Sequence, residues 1–132
     1  IPCTAPPWGK LVAVDLAQGS IAWEAPLGSV HEMGPLPWPW HIDWGTPNLG
    51  GGLVTDGGLF FIAATMDRQF RAFDVRDGRQ LWTHTLPADA TATPMTYTLH
   101  GRQYVLINAG GHAMYNRGTG DYLIAFALPE TQ

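Results

Sequence analysis

The feature that most constrains this chain is an internal repeat. The stretch LVAVDLAQGSIAWEAPLG (11–28) aligns with FRAFDVRDGRQLWTHTLP (70–87) through the shared frame Ala-x-Asp-x-x-x-Gly-x-x-x-Trp. A third, decayed copy, DYLIAFALPE (121–130), lies near the end of the chain and has Ala127 where the others have the Asp. A unit that recurs at a long fixed period is typical of propellers and solenoids, so the repeat predicts one of these architectures.

Each position of the frame has a physical role. The Asp can accept hydrogen bonds from the backbone two residues further on, which starts a tight turn. The Gly supplies the positive φ that such a turn needs. The Trp opens the next strand, where we expect its flat ring to pack between neighbouring sheets rather than to take part in catalysis. The frame residues are Ala13, Asp15, Gly19 and Trp23 in the first copy and Ala72, Asp74, Gly78 and Trp82 in the second.

The rest of the chain is also predicted to form strands. Runs of alternating apolar and polar residues are bounded by Gly, Pro, Asp or Asn, as in all-β proteins. Glycine (16) and proline (11) are frequent, and no window shows a helical stripe. We therefore predict an all-β chain with about nine strands and no helix. The most regular runs are 9–16, 58–65, 69–75, 79–86, 93–99, 102–110 and 121–128.

Composition excludes several classes of partner. The 132 residues suffice for one small domain, and 45% of them are hydrophobic. The formal net charge is −4 and the seven Lys and Arg residues are scattered, which argues against nucleic-acid binding. Cys3 is the single cysteine, so it forms no disulfide within the chain. No apolar run is long enough for a transmembrane helix. Because the chain begins with Ile rather than Met, we expect it to be the C-terminal piece of a longer protein.

The stretch WGTPNLGGG (44–52) packs four glycines, a proline and an asparagine into nine residues. This is more glycine than an ordinary link between two strands requires. Either the backbone turns sharply here, or a flat polar ligand comes close to it. The residues alone leave both explanations open.

The repeat resembles the tryptophan-docking motif of the eight-bladed quinoprotein propellers. The whole chain resembles the C-terminal end of the membrane-type, PQQ-dependent glucose dehydrogenases and of the related quinate dehydrogenases. The chain departs from the motif where Gln18 and Asp77 replace the usual Thr before the motif glycine. The matching stretches keep their order over nearly all of the chain: IPCTAPPWGKLVAVDLAQGSIAWEAPLG, GTPNLGG, FIAATMDRQFRAFDVRDGRQLW, LPADATATPMTY, GRQYVLINAGGH and GDYLIAFALP.

The resemblance implies an incomplete propeller. Residues 9–28 would be the last two strands of one blade, residues 51–87 a complete four-stranded blade, and residues 92–128 three strands of the closing blade. In such propellers the missing strand comes from the start of the protein and closes the ring. This chain alone would hold about two and a half blades and leave open strand edges.

The resemblance also implies that the cofactor PQQ lies at the inner ends of the blades, close to two glycine-rich loops. In the first loop, the Asn48 amide can donate to and accept from the quinone and carboxylate oxygens. In the matching loop one blade later, NAGGHAMYNRGTGD (108–121), His112 could donate to a PQQ carboxylate. The candidate cofactor-binding residues are Asn48, Leu49, Gly50, Gly111 and His112. The catalytic base and the Ca²⁺ or Mg²⁺ ligands would lie upstream, so no catalytic or metal-binding residue is assigned to this chain.

The segment SVHEMGPLPWPWHIDW (29–44) is too long and too rich in Pro and Trp for a hairpin loop. Its His31, Glu32, His41 and Asp43 lack the spacing of a recognised metal site. We expect the segment to pack on the propeller face or to line the substrate entrance.

The leading hypothesis is an enzyme that oxidises a hydroxyl of a sugar or polyol, glucose-like or quinate, and passes electrons to membrane ubiquinone. The resemblance implies a periplasmic location, with attachment to the inner membrane through a region outside this chain. The alternative is a non-catalytic propeller scaffold of the outer-membrane assembly type, which binds proteins and uses a similar repeat. The two glycine-rich loops favour the enzyme, because a scaffold has no need of them. A free-standing small β-domain is disfavoured by the missing strand.

Overall fold

The computed structural model describes residues 3–30, 42–113 and 118–129. The described residues form nine β-strands joined by turns and loops, which confirms the predicted all-β fold class. The strands are β1 (Lys10–Asp15), β2 (Ser20–Pro26), β3 (Gly52–Val54), β4 (Leu59–Ile62), β5 (Gln69–Asp74), β6 (Gln80–Thr85), β7 (Met95–Leu99), β8 (Arg102–Gly111) and β9 (Thr119–Phe126). Over these same ranges, no helix is long and apolar enough to cross a bilayer.

The strands form three antiparallel sheets of two, four and three strands, each connected in chain order. The first sheet is β1–β2, the central sheet is β3–β4–β5–β6, and the third sheet is β7–β8–β9. The sheets lie within the ranges 9–28, 51–87 and 92–128, whose status as blades of a larger ring stays a prediction.

The turns of the repeat have the predicted geometry. Asp15 Oδ1 accepts the backbone N–H two residues further on at 2.8 Å, and Asp74 Oδ1 accepts the equivalent N–H at 2.9 Å. Gly19 and Gly78 have φ values of 64° and 72°, in the region that favours glycine. The roles assigned to the Asp and Gly of the frame are therefore confirmed.

The tryptophan of the first repeat packs between two sheets, as predicted. Trp23, on β2, donates its indole N–H to the Val75 carbonyl of the central sheet at 2.8 Å. Its ring lies against Gly78, where a Cβ would be 2.5 Å from Trp23 Cε3. Trp82 takes a different partner and contacts Phe126 of the third sheet with ring centroids 5.3 Å apart. The decayed third copy of the repeat explains this difference, because it has no motif turn of its own.

Apolar side chains fill the two spaces between the sheets. Phe70 on β5 is completely buried between the central and third sheets. Burying one such side chain contributes about 1.5–3 kcal/mol. The buried cluster around it contains Ala63, Leu86, Ala90, Val105, Ile107 and Ala109. The cluster between the first and central sheets contains Leu27, Ile62, Ala64 and Phe73.

Candidate functional site

Loops from all three sheets meet at one end of the molecule, which we call the loop end. Because the strands are antiparallel, the starts of β1, β3, β5 and β7 lie beside the C-terminal parts of β2, β4, β6 and β8. Both candidate cofactor loops lie at this end. The segments gathered there are 27–30, 42–51, 63–68, 86–94 and 110–113.

The Asn48 loop (residues 44–51) leads into β3, and its residues Asn48, Leu49 and Gly50 are exposed. Within the described residues, the Asn48 side-chain amide makes no hydrogen bond. A Cβ at Gly9 would lie 2.9 Å from Asn48 Nδ2, so the glycine leaves room for the amide. The loop therefore presents an amide donor and an amide acceptor to solvent.

The glycines of the Asn48 loop are explained by the packing of the chain itself. A Cβ at Gly50 would lie 2.5 Å from the Thr91 carbonyl oxygen, and a Cβ at Gly51 would lie 2.5 Å from Thr93 Oγ1. Gly50 also has a φ of 133°, which residues with a side chain rarely adopt. Contact with the 89–94 segment at Gly50 and Gly51, and with the Phe60 ring at Gly52, is thus a sufficient reason for the glycine run, and the approach of a ligand is not needed to explain it.

The His112 loop (residues 110–113) lies at the C-terminal end of β8, and both Gly111 and His112 are half-buried. Because β8 and β9 are the second and third strands of their sheet, this loop corresponds to the 63–68 connection of the central sheet and not to the Asn48 loop, so the predicted match between the two candidate loops is wrong. Gly111 has a φ of 72°, and a Cβ there would overlap the backbone of Gly118. Glycine is therefore required for the chain to return into β9. Residues 114–117 of this loop lie outside the described residues.

A row of backbone hydrogen bonds connects the two candidate loops. The Leu49 N–H donates to the Ala64 carbonyl at 2.9 Å, and the Ala64 N–H donates to the Ala90 carbonyl at 2.9 Å. The Gly111 N–H donates to the neighbouring Asp89 carbonyl at 2.8 Å. Ala64, Asp89 and Ala90 are all buried. The two loops therefore lie on either side of a shared buried support, and both are held by it.

A buried ion pair between Asp67 and Arg71 lies beside the Asn48 loop. Arg71 Nη1 donates to Asp67 Oδ1 at 3.1 Å, and Arg71 Nη2 donates to Oδ2. The Thr65 hydroxyl donates to Oδ1 at 2.6 Å, and the Ser29 N–H donates to Oδ2 at 2.7 Å. Because Ser29 follows β2, the carboxylate connects the first sheet to the central sheet.

Burial alone would raise the pKa of Asp67. The hydrogen bonds and the positive charge of Arg71 outweigh that effect and hold the pKa below its ordinary value of 3.8. Asp67 is therefore ionised at neutral pH, and its buried charge is balanced by a buried partner and several donors.

Thr46 connects this network to the Asn48 loop. The Met66 N–H donates to Thr46 Oγ1 at 3.3 Å, and the Thr46 N–H donates to the Leu27 carbonyl at 2.9 Å. Thr46 is completely buried, while Asn48, two residues later, is exposed. The loop therefore has a fixed base and an accessible tip.

The ion pair and Thr46 are not among the residues predicted from the sequence. A signal was present in FIAATMDRQFRAFDV (61–75), where Asp67 and Arg71 carry opposite charges inside a largely apolar run. Charged residues in such a run are rarely buried unless they are paired. That rule would have indicated a pair, but not its position beside the Asn48 loop.

The segment 29–44 is only partly described. His31, Glu32 and His41 lie outside the described residues, and Asp43 is exposed. Among the residues that the structure describes, His, Cys, Asp and Glu side chains form no group of three that could hold a metal ion. The candidate site is therefore built from the two loops and the buried residues that hold them.

Two curated relatives cover almost the whole chain. The probable quinate dehydrogenase (quinone) of Xanthomonas campestris pv. juglandis is 49% identical over 134 residues, which are 98% of this chain and 17% of that protein. Quinoprotein glucose dehydrogenase A of Acinetobacter calcoaceticus is 42% identical over 136 residues, which are 100% of this chain and 17% of that protein. The chain thus spans 17% of the length of each of these relatives.

A solved structure has a similar fold. The quinohemoprotein alcohol dehydrogenase of Pseudomonas putida HK5 is 31% identical, with a TM-score of 0.57 over 76% of this chain and 12% of that chain. Residues 1–105 also match the PQQ family described as glucose/ethanol/alcohol dehydrogenase, β-propeller domain. That range includes the first two copies of the repeat and the Asn48 loop. The chain therefore belongs to the β-propeller family of the PQQ-dependent glucose, ethanol and alcohol dehydrogenases.

Proposed function

We propose that this chain is the C-terminal segment of a PQQ-dependent dehydrogenase that oxidises a hydroxyl group of a sugar, a polyol or quinate. Family membership and the quinate and glucose dehydrogenases among its relatives support this proposal. The observation that carries it is the pair of loops, 44–51 and 110–113, held side by side by a common buried support. In this proposal the chain supplies scaffold and part of the cofactor pocket.

The residues at the loop end fit PQQ, which is flat and carries quinone and carboxylate oxygens. When bound, PQQ takes up the electrons that leave the oxidised hydroxyl group. The exposed Asn48 amide can donate to these oxygens, and a ring N–H of His112 suits a carboxylate. Leu49 and Gly50 are exposed beside Asn48, so a flat ring can lie against them. These residues bind and orient the cofactor.

The remaining parts of the reaction are assigned to other parts of the longer protein. Oxidation of an alcohol requires a general base for the hydroxyl proton and a cation near the quinone. We assign the base and the Ca²⁺ or Mg²⁺ ligands to blades outside this chain. Transfer of electrons to ubiquinone is proposed because one relative is a quinone-linked quinate dehydrogenase. The periplasmic location and the inner-membrane attachment follow from the resemblance to the membrane-type enzymes.

A dye-linked dehydrogenase assay on the full-length protein that carries this segment tests the proposal. The assay compares glucose and quinate, with and without added PQQ and Ca²⁺. We expect turnover of one of these substrates that depends on PQQ. A protein that binds no PQQ and oxidises neither substrate under any of these conditions would contradict the proposed function. Reduction of a soluble ubiquinone analogue in the same assay tests the electron acceptor separately.

A further inference from the structure

Ala64 has an unusual backbone conformation for a residue with a side chain. Its φ is 49°, in the left-handed region that costs such residues about 1–2 kcal/mol. The residue is completely buried. Backbone strain of this kind persists only when the surrounding structure holds it, and it clusters at functional sites.

The backbone N–H and C=O groups of Ala64 both make hydrogen bonds, and they do so with different segments of the chain. Its carbonyl accepts the N–H of Leu49, and its own N–H donates to the carbonyl of Ala90. The adjacent Asp89 carbonyl accepts the N–H of Gly111. The φ and ψ angles of a residue together set the relative directions of its N–H and C=O groups. The conformation of Ala64 therefore determines how the Asn48 loop stands relative to the His112 loop.

Little space surrounds this junction. A Cβ at Gly50 would lie 3.4 Å from the Ala64 Cβ and 2.5 Å from the Thr91 carbonyl oxygen. Ala64 itself packs with Leu27, Ile62 and Phe73 in the cluster between the first and central sheets. A larger or β-branched side chain at position 64 must therefore displace the Asn48 loop or change the backbone conformation.

We propose that Ala64 is a positioning residue for PQQ, whose left-handed backbone sets the spacing between the Asn48 loop and the His112 loop. The correct spacing lets the two loops contact the same cofactor molecule. This inference rests on the proposed function and adds to it a buried residue that lies between the two candidate cofactor loops. A purely structural residue would affect stability without affecting cofactor affinity.

The test is equilibrium binding of PQQ to the full-length apoprotein, measured by isothermal titration calorimetry together with thermal unfolding. The variants are Ala64→Val, Ala64→Gly and the matched control His100→Val. His100 also has a positive φ, of 50°, but it is exposed in the β7–β8 turn, at the end opposite the loop end. Valine strains the backbone at both positions, whereas glycine adopts a positive φ freely.

We expect Ala64→Val to weaken PQQ binding by about tenfold or more, because misplaced contacts lose much of their effect. We expect His100→Val and Ala64→Gly to bind PQQ within about twofold of wild type, although His100→Val also unfolds at a lower temperature. If Ala64→Val binds as wild type does, or if His100→Val loses as much affinity, the inference is wrong.

A second measurement on the wild-type protein does not depend on whether a variant folds. Hydrogen exchange followed by mass spectrometry should show that PQQ slows exchange together in peptides that contain Leu49, Ala64 and Gly111. Protection limited to one of the two loops would overturn the inference. An Asn48→Ala variant separates the two proposals. Weaker binding in Asn48→Ala with normal binding in Ala64→Val overturns the role of Ala64 alone. A wild-type protein that binds no PQQ overturns the proposed function as well.

Discussion

Replacing Gly78 by alanine should destabilise the protein by more than backbone strain alone. Gly78 has a φ of 72°, so the strain of an alanine there costs about 1–2 kcal/mol. The new Cβ would also lie 2.5 Å from Trp23 Cε3, and the ring must move. Overpacking of this kind costs about 1–3 kcal/mol. Loss of the Trp23 hydrogen bond to the Val75 carbonyl adds about 1 kcal/mol. We expect a total of about 3–6 kcal/mol.

Urea unfolding of the full-length protein, followed by far-UV circular dichroism, measures this loss. The matched control is Gly101→Ala, because Gly101 has a φ of 77° and no atom within 4 Å of a built Cβ. The control should cost only about 1–2 kcal/mol. In a Trp23→Ala background the penalty of Gly78→Ala should fall by about 2–4 kcal/mol, because neither the clash nor the Trp23 hydrogen bond is then present. Equal losses at the two glycines, or additive losses of Gly78→Ala and Trp23→Ala, would refute the reasoning.

Two further predictions concern the support of the loop end. Asp67→Asn should cost about 3–5 kcal/mol in urea unfolding at neutral pH, because it leaves the Arg71 charge buried without its partner. Since the folded pKa of Asp67 is lowered, its contribution is complete above pH 3.8 and is lost as the pH falls through the folded value. The variant should therefore lose less stability than wild type in acid, and equal losses would contradict this. Gly51→Ala should cost about 1–3 kcal/mol through its clash with Thr93 Oγ1. Gly57→Ala, with its nearest atom at 4.0 Å, should change stability by less than about 0.5 kcal/mol, and similar values for the two variants in urea unfolding would be inconsistent with the clash.

Most of the fold could be predicted from the sequence because the repeat encodes local geometry. Asp15 and Asp74 begin their turns with their own carboxylates, and glycine supplies the positive φ that follows. A tryptophan at a constant distance from that turn predicts contact with a neighbouring sheet, as Trp23 shows. The partner of Trp82 could not be predicted, because the third copy has lost the motif turn and Trp82 instead contacts Phe126 on strand β9.

The location of the candidate site could be predicted from the sequence, but the hydrogen bonds that connect its two loops could not. Counting strands puts Asn48 and His112 at the same end, because the start of a sheet's first strand lies beside the end of its second strand. The connection through Ala64 leaves no trace in the sequence, since it consists of backbone hydrogen bonds. The sequence does not reveal that Ala64 has a left-handed backbone conformation, because glycine is the residue expected at a positive φ. The glycine run of the Asn48 loop was compatible with the approach of a ligand. The structure explains it by close contacts with other residues of the same chain.

The central claim is that this chain forms part of a PQQ pocket, and the most direct test is the affinity of Asn48→Ala for PQQ. Isothermal titration of the full-length apoprotein would compare wild type, Asn48→Ala and the control Gln18→Ala, whose exposed side chain lies at the end opposite the loop end. A hydrogen bond to a charged oxygen contributes about 1.5–3 kcal/mol, so Asn48→Ala should bind about tenfold to 100-fold more weakly. Gln18→Ala should bind as wild type does. Unchanged affinity in Asn48→Ala would contradict the claim that the Asn48 loop contacts PQQ.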